Sequence, residues 1–252
     1  MAPASRRVQI VDLGPRLNKP NIIVGVPEAG LVGTIASSYL LEQLKLEERG
    51  YIDSDLIPPV MVVHDSMARY PVHIFGKNNV VVVMSEVPLV GRASLEVARE
   101  IASWAKSVKA NILVGVTGAP SRSREEAQAE GKPAIVGVGN DEISLKLIKT
   151  SGVSPFNDGV ISGFYASLLR SCTNDLQPAL VLLAESLAQF PDPGAAVAII
   201  GALNNLMGLK VDTKPLVEEA EGIRLKTREL MQQTQQAQQQ AAGPTGGGTA
   251  YR

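Results

Sequence analysis

A glycine-rich loop at residues 25–30 has a spacing that could bind phosphate. The loop reads Gly-Val-Pro-Glu-Ala-Gly, which is the glycine spacing of a nucleotide-binding P-loop. A P-loop continues with lysine and then serine or threonine, whereas Leu31 and Val32 follow here. The loop also lacks the Gly-x-Gly of a dinucleotide site. Free N–H groups at the start of the next helix could hold an anion, but the incomplete motif favours a packing role for Gly30 and Gly33. We therefore expect the chain not to use ATP.

Two glutamates could form a second kind of site. Glu28 follows one predicted strand and Glu86 ends another. If these strands adjoin, both carboxylates face one crevice at the carboxyl ends of the strands, where α/β proteins bind ligands. This pattern supports an alternative function, in which the chain is an enzyme or a binding protein for a small, nucleoside-like molecule. Only the fold class supports that alternative.

The remaining reactive side chains do not form a known catalytic or metal-binding pattern. His64, Asp65 and Ser66 are adjacent, but catalytic triads are spatial arrangements, and neighbouring residues of an extended segment point to opposite faces. A polar loop at a strand end is the expected structure. His64 and His73 are the two histidines, with no HExxH motif or cysteine partner, so no zinc site is expected. Cys172 ends an apolar helix and is expected to be a buried, inert thiol. We expect no catalytic residues, no cofactor and no metal.

Composition restricts the class of protein further. The chain has 252 residues, is 45% hydrophobic and carries a formal net charge of −1. No overall field therefore favours nucleic acid or an anionic membrane. A single cysteine excludes an internal disulfide. No apolar run reaches the roughly 18 residues of a membrane-spanning helix, and no signal-peptide run follows Arg6 and Arg7, so a cytoplasmic protein is expected.

Strand and helix patterns alternate through residues 1–213. Short β-rich runs predict strands at residues 21–26, 60–63, 72–75, 80–84, 112–117, 134–138 and 179–184. Helical spacing is found at residues 31–44, 94–108, 141–149, 159–171 and 193–207. Residues 118–133 are polar and are expected to leave the domain surface. The alternation predicts one α/β domain with a mainly parallel central sheet covered by helices on both faces.

The character of the chain changes after residue 213. Residues 214–240 carry a heptad-like apolar seam, which predicts a long helix that either lies on the domain or pairs with another subunit. Residues 241–252 are rich in glycine and are expected to form a disordered tail. We expect a homo-oligomer with the helix at 193–207 or the one at 214–240 in its interface.

Several motifs, taken in order, resemble the proteasome assembly chaperone family. They are the opening segment at residues 21–33, Glu-Val-Pro at 86–88, Val-Gly-Val-Gly-Asn at 136–140, Asp-Gly-Val-Ile-Ser-Gly at 158–163 and Pro-Asp-Pro-Gly-Ala-Ala at 191–196. Together they cover about residues 18 to 225. The resemblance implies an α/β fold, no catalysis and action through protein surfaces.

The end of the chain is similar to that of archaeal family members with a proteasome-activating tail. That tail is a hydrophobic residue, a tyrosine and a last residue with a free carboxylate, and Ala250, Tyr251 and Arg252 match it in order. The resemblance implies docking of these three residues into pockets of the α-ring of the proteasome core particle. It also implies an ATP-independent chaperone or activator that acts as a homo-oligomer, for example a tetramer. A structural subunit with an idle tail is the remaining alternative.

Overall fold

The computed structural model describes residues 7–127 and 131–219. Within these residues the strands are β1 (Val8–Asp12), β2 (Asn21–Gly25), β3 (Glu47–Ser54), β4 (Val62–His64), β5 (Met67–Arg69), β6 (Val72–Lys77), β7 (Val80–Ser85), β8 (Ile112–Pro120), β9 (Ile135–Gly139), β10 (Ser154–Pro155) and β11 (Ala179–Ser186). The α-helices are α1 (Val32–Gln43), α2 (Gly91–Ser107), α3 (Arg122–Glu126), α4 (Glu142–Thr150), α5 (Gly163–Asp175) and α6 (Pro193–Met207). Residues 214–219 are also helical.

The main sheet has the strand order β1-β3-β6-β7-β2-β8-β11-β9-β10 in the described part of the chain. Its centre, β7-β2-β8-β11, is parallel. This confirms the predicted α/β fold with a mainly parallel sheet, which antiparallel strands extend at both flanks. The β6–β7 pair is antiparallel because only residues 78–79 connect the two strands, too few for a parallel crossover.

Helices cover both faces of the sheet, as predicted. On one face, α2 and α5 pack against alternate residues of β2, including Ile22 and Val24. On the other face, α1 and α6 pack around Ile23 of the same strand. A central strand that is buried on both sides needs apolar residues at every position, which explains why β2 could be identified from a continuous apolar run.

Several element boundaries differ from the predictions. The second helix begins at Gly91 rather than Ser94, one turn earlier than predicted, and Gly91 itself has a φ of 56°, in the left-handed region that glycine adopts most readily. The fifth helix begins at Gly163 rather than at residue 159. Strands β1 and β3 were not predicted, since β1 is only five residues long with Gln9 interrupting its apolar residues, and β3 is mostly polar.

The long C-terminal helix predicted for residues 214–240 lies mostly outside the described residues. Within them, residues 214–219 are helical, and Leu216 is buried beside α1 and α6. The predicted interface helix α6 is itself mostly buried inside the chain. Among the described residues, no helix combines the length and apolar character needed to cross a membrane.

Candidate functional site

The parallel strands bring several polar side chains to one edge of the sheet, which we call the carboxyl edge. Strands β7, β2, β8 and β11 all end there. The connections from β3 to β6, from β2 to α1 and from β11 to α6 leave from the same edge. Both glutamates singled out from the sequence, Glu28 and Glu86, lie in this region.

The glycine-rich loop is packed tightly against its surroundings. A Cβ on Gly33 would lie 2.5 Å from the carbonyl oxygen of Val116, so α1 approaches β8 more closely than any side chain would allow. The hydroxyl of Tyr165 joins this region by donating to the Val116 carbonyl at 2.5 Å and accepting from the Val26 N–H at 3.1 Å. Burial raises the pKa of that hydroxyl, so it stays protonated and keeps both bonds. The predicted packing role of Gly33 is confirmed.

Glu28 connects the loop to its neighbours on β8 and α5. Its carboxylate accepts a hydrogen bond from the Thr117 hydroxyl at 3.1 Å and another from the backbone N–H of Phe164. Burial raises the pKa of the Glu28 carboxyl, and these two hydrogen bonds partly oppose the rise. Since Phe164 lies in the first turn of α5, the carboxylate also stabilises the positive end of that helix.

Glu86 has a separate set of partners, which include both histidines of the chain. Nε2 of His64 lies 3.0 Å from each carboxylate oxygen of Glu86. Nε2 of the buried His73 lies 3.2 Å from Oε1 of Glu86, and its Nδ1 lies 3.0 Å from Glu48. Arg69 also pairs with Glu48. These contacts attach the β4–β5 hairpin to β3, β6 and β7.

The prediction of a shared crevice is therefore correct in the placement of the two strands, but the carboxylates of Glu28 and Glu86 contact different partners. Strands β2 and β7 are adjacent and parallel, as the prediction required. However, Glu28 contacts β8 and α5, whereas Glu86 contacts the hairpin and β6. Each carboxylate has an internal structural partner.

The other reactive side chains that the sequence singled out belong to a strand end, a turn or the core. His64 ends β4, and Asp65 and Ser66 form the turn to β5 with φ values of 49° and 64°, which confirms the predicted loop. Cys172 is fully buried, which confirms the predicted burial, and burial raises the pKa of its thiol to about 12. Within residues 7–127 and 131–219, no group of three or more histidine, cysteine, aspartate or glutamate side chains is arranged to hold a metal ion.

One buried ion pair was not foreseen. Arg124 lies in the segment expected to leave the surface, yet its guanidinium donates to both carboxylate oxygens of Asp192 at 2.9 Å. Asp192 also accepts from the Ala195 N–H at the start of α6. The sequence signal for Asp192 was its position directly before Pro193, since proline is favoured at the first position of a helix. No sequence signal identified Arg124 as its partner.

The start of the C-terminal segment is attached firmly to the body. Asn204 exchanges two hydrogen bonds with the backbone of Val211, at 2.9 and 3.1 Å. The Tyr39 hydroxyl donates to the carbonyl oxygen of Asp212 at 2.7 Å. The predicted docking residues Ala250, Tyr251 and Arg252 lie outside the described residues, and the structure gives no geometry for them.

Comparisons with known proteins cover almost the whole body. A model of the PAC2 family matches residues 22–231. An uncharacterized protein of Methanocaldococcus jannaschii is 27% identical over 214 residues, covering 85% of this chain and 86% of that protein. The crystal structure of Pyrococcus furiosus PbaA, an archaeal homolog of proteasome-assembly chaperone, is similar with a TM-score of 0.82 and 29% identity, covering 93% of this chain and 96% of PbaA. Pyrococcus furiosus PbaB, an archaeal proteasome activator, has a TM-score of 0.77 at 20% identity, covering 90% and 99%, and this likeness concerns the fold alone.

Proposed function

The chain belongs to the PAC2 family, and on that premise we propose that it is a proteasome-binding chaperone or activator that docks its last three residues into the core particle. The family match over residues 22–231 carries the proteasome-related role, and the order of Ala250, Tyr251 and Arg252 supports the choice of docking residues. It agrees with the resemblance found in the sequence, and the similarity to PbaA extends through nearly all of both chains. The proposal implies a cytoplasmic protein that acts by binding and not by catalysis.

The contacts at the carboxyl edge support a binding role for the chain. The carboxylate of Glu28 accepts hydrogen bonds from Thr117 and from the start of α5, and the carboxylate of Glu86 contacts the rings of both histidines. Asp192 is held by Arg124. A structural role for these three carboxylates agrees with a chain that acts through its protein surfaces. These contacts favour the chaperone or activator role over the small-molecule alternative.

The loop between β2 and α1 supports ATP-independent action. Leu31 and Val32 occupy the positions where a P-loop needs lysine and a hydroxyl side chain. Next to the loop, Gly33 packs closely against the Val116 carbonyl, and the Tyr165 hydroxyl donates a hydrogen bond to the same carbonyl. Opening of a gate or stabilisation of an assembly intermediate would therefore come from binding energy alone.

The tail has chemistry suited to a pocket between protein subunits. A free carboxylate can pair with a lysine at the base of such a pocket, while backbone groups capture an extended peptide. Tyr251 adds a rigid aromatic ring with a hydroxyl that can find a polar partner. Hydrogen bonds at Val211 and Asp212 attach the start of the C-terminal segment, well before the tail, to the body. Residues 232–252 would span about 25 Å as a coil and about 70 Å when extended.

Several tails on one assembly would bind more strongly than one. A single tail loses its conformational freedom on binding, so its affinity alone is weak. A homo-oligomer, for example a tetramer, would present several tails to the repeated pockets of an α-ring. Linked binding of this kind raises avidity by ~10²-fold or more when the geometry permits it.

A pull-down with the purified archaeal core particle tests the proposal. The full chain should retain the core particle, and a chain that ends at Thr249 should not. Pro244→Ala is the matched control, because it changes the tail but keeps Ala250, Tyr251 and Arg252, and it should retain the core particle. Equal retention by the truncated and full chains would remove the tail from the proposed function, and no retention by either would remove the proteasome as the partner.

A further inference from the structure

The β4–β5 hairpin has no buried side chain of its own to anchor it to the body. Every residue from 58 to 70, all of which the structure describes, is exposed or only partly buried. The hairpin forms a separate two-stranded sheet that shares no strand ladder with the main sheet in the described part of the chain. An isolated two-stranded hairpin has little stability in water. Its main attachments are therefore the contacts of His64 with Glu86 and of Arg69 with Glu48.

His73, on β6, contacts both of the glutamates that attach the hairpin. Its side chain is 2% accessible, and each of its ring nitrogens faces one of the two carboxylates. Nδ1 lies 3.0 Å from Oε1 of Glu48. Nε2 lies 3.2 Å from Oε1 of Glu86, which is an ion-pair distance without the alignment of a hydrogen bond. The ring of His73 is thus placed between the two carboxylates.

The protonation state of His73 decides whether this arrangement is favourable. A neutral imidazole has one N–H and one bare nitrogen, so the bare nitrogen would face a carboxylate oxygen. The imidazolium ion has an N–H at both positions and matches both glutamates. A carboxylate within about 4–6 Å favours the charged ring, and pairing with two of them offsets the cost of burying the charge. The geometry therefore fits the charged form, which histidine adopts as pH falls from 8 to 5.

We propose that His73, Glu48 and Glu86 form a pH-sensitive latch that holds the β4–β5 hairpin against the body. With a proton on each ring nitrogen, His73 holds the two carboxylates where His64 and Arg69 can reach them. When one proton leaves, a carboxylate faces a nitrogen lone pair and turns away, and its contact with the hairpin is lost. Docking and protonation favour each other, so the hairpin is docked at lower pH and released as pH rises through the histidine range.

The two charged side chains of the hairpin respond differently to pH. His64, on β4, is 51% accessible, and its Nε2 lies 3.0 Å from both carboxylate oxygens of Glu86. Protonation of this ring makes the contact charge-assisted and roughly twice as strong, which adds to the dependence in the same direction. An arginine stays charged throughout this range, so the contact of Arg69 responds only through the placement of Glu48.

The base of the hairpin stays in place when the latch opens. The ring of Tyr70, directly after β5, stacks on Tyr51 of β3 with a centroid separation of 4.0 Å, and Tyr51 is also the cross-strand neighbour of His73. Stacking of this kind needs no charge on either ring. Release of the hairpin would uncover the carboxylates of Glu48 and Glu86, so pH would set the charge that this flank of the sheet presents to a partner. This device lies in the body of the chain and goes beyond the proposed docking of the tail.

Hydrogen exchange of the full chain, measured by mass spectrometry on peptides that span residues 60–70, tests the latch. After correction for the intrinsic effect of pH on exchange, the native hairpin should open about tenfold more often at pH 8 than at pH 6. His73→Gln should remove most of this dependence, because glutamine gains no charge. His64→Gln is the matched control, since it makes the same substitution at the exposed histidine, and it should retain most of the dependence. Opening that does not vary with pH in the native chain, or that varies as strongly in His73→Gln, would overturn the proposal.

NMR of the native chain gives a second readout should circular dichroism show that His73→Gln fails to fold. Long-range ¹H–¹⁵N spectra should show a proton on both Nδ1 and Nε2 of His73 at pH 6. The methyl signal of Met67, in β5, should shift as one of these protons is lost at higher pH, and that of Met207, in α6, should not. A single N–H on His73 at pH 6, or a Met67 signal that ignores pH, would contradict the latch. These experiments use no core particle, so their failure leaves the tail-docking proposal intact.

Discussion

Arg124 and Asp192 form a two-point ion pair inside the protein, with Nε and Nη2 of the arginine each 2.9 Å from a carboxylate oxygen. Their side chains are 3% and 1% accessible. The pair joins the short helix α3 to the start of α6 across the end of β11. Removal of either charge would leave the other buried without its countercharge.

Arg124→Met should therefore reduce the free energy of unfolding by about 3–5 kcal/mol, because the buried carboxylate of Asp192 loses its countercharge. Urea denaturation followed by circular dichroism measures the change. The double variant Arg124→Met/Asp192→Asn should recover part of the loss, since no uncompensated charge remains and asparagine still caps α6. Arg99→Met is the control: Arg99 pairs with Glu96 on the surface, so the change should cost under about 1 kcal/mol. A loss as small for Arg124→Met as for Arg99→Met would contradict this account of the pair.

Two glycines in helices should respond in opposite ways to alanine. Gly33→Ala places a Cβ 2.5 Å from the Val116 carbonyl and should destabilise the chain by about 1–3 kcal/mol, because α1 must move away from β8. Gly201 lies within α6, where an added Cβ would meet no other atom within 4 Å, so Gly201→Ala should stabilise by about 0.5–1 kcal/mol through helix propensity. Thermal and urea unfolding of both variants measure the two changes in stability. Equal effects of one sign would show that close packing does not explain Gly33.

Glu28→Gln should change how stability depends on pH. Burial raises the pKa of the Glu28 carboxyl in the folded chain above its unfolded value. The folded state therefore binds the proton at higher pH than the unfolded state, and stability falls as pH rises through that interval. Glutamine removes this loss while its oxygen still accepts from Thr117. The variant should be more stable than the native chain at pH 7, and the difference should shrink toward zero below about pH 4. A difference that grows on acidification would reverse the sign and refute the explanation.

Cys172 should be unreactive in the folded chain. Its thiol is fully buried and its pKa is raised to about 12, so almost no thiolate exists at pH 8. A thiol-specific reagent should label the native protein at least a hundredfold more slowly than the protein in denaturant, which serves as the control. Rapid labelling under native conditions would mean that α5 opens readily or that the packing around the thiol is loose.

Some of this structure follows from local sequence, and some depends on distant residues. Strand β2 and helix α1 are specified by an apolar run and by helical spacing. Strand β3 has a mixed polar sequence, and it is a strand because β1 and β6 pair with it on either side. No period in its own residues could have indicated this.

At the carboxyl edge, too, some features follow from local sequence and others depend on distant residues. The positions of Glu28 and Glu86 at adjacent strand ends followed from the α/β pattern. Their partners did not, because Thr117 is 89 residues from Glu28 in the chain. Arg124 is 68 residues from Asp192 and lies in a polar segment that resembles a surface loop. Only the packed structure reveals contacts of this kind.

The most direct test of tail docking is the affinity of tail variants for the purified archaeal core particle, measured with the core particle immobilised on a sensor surface. Tyr251→Ala should weaken binding by about 30-fold or more, because a buried aromatic anchor contributes about 2 kcal/mol or more. Arg252→Ala is the matched control and should bind nearly as well as the native chain, since it keeps the terminal carboxylate and the proposed motif specifies no side chain at the last position. Equal affinity of Tyr251→Ala and the native chain would contradict the proposed docking of Ala250, Tyr251 and Arg252.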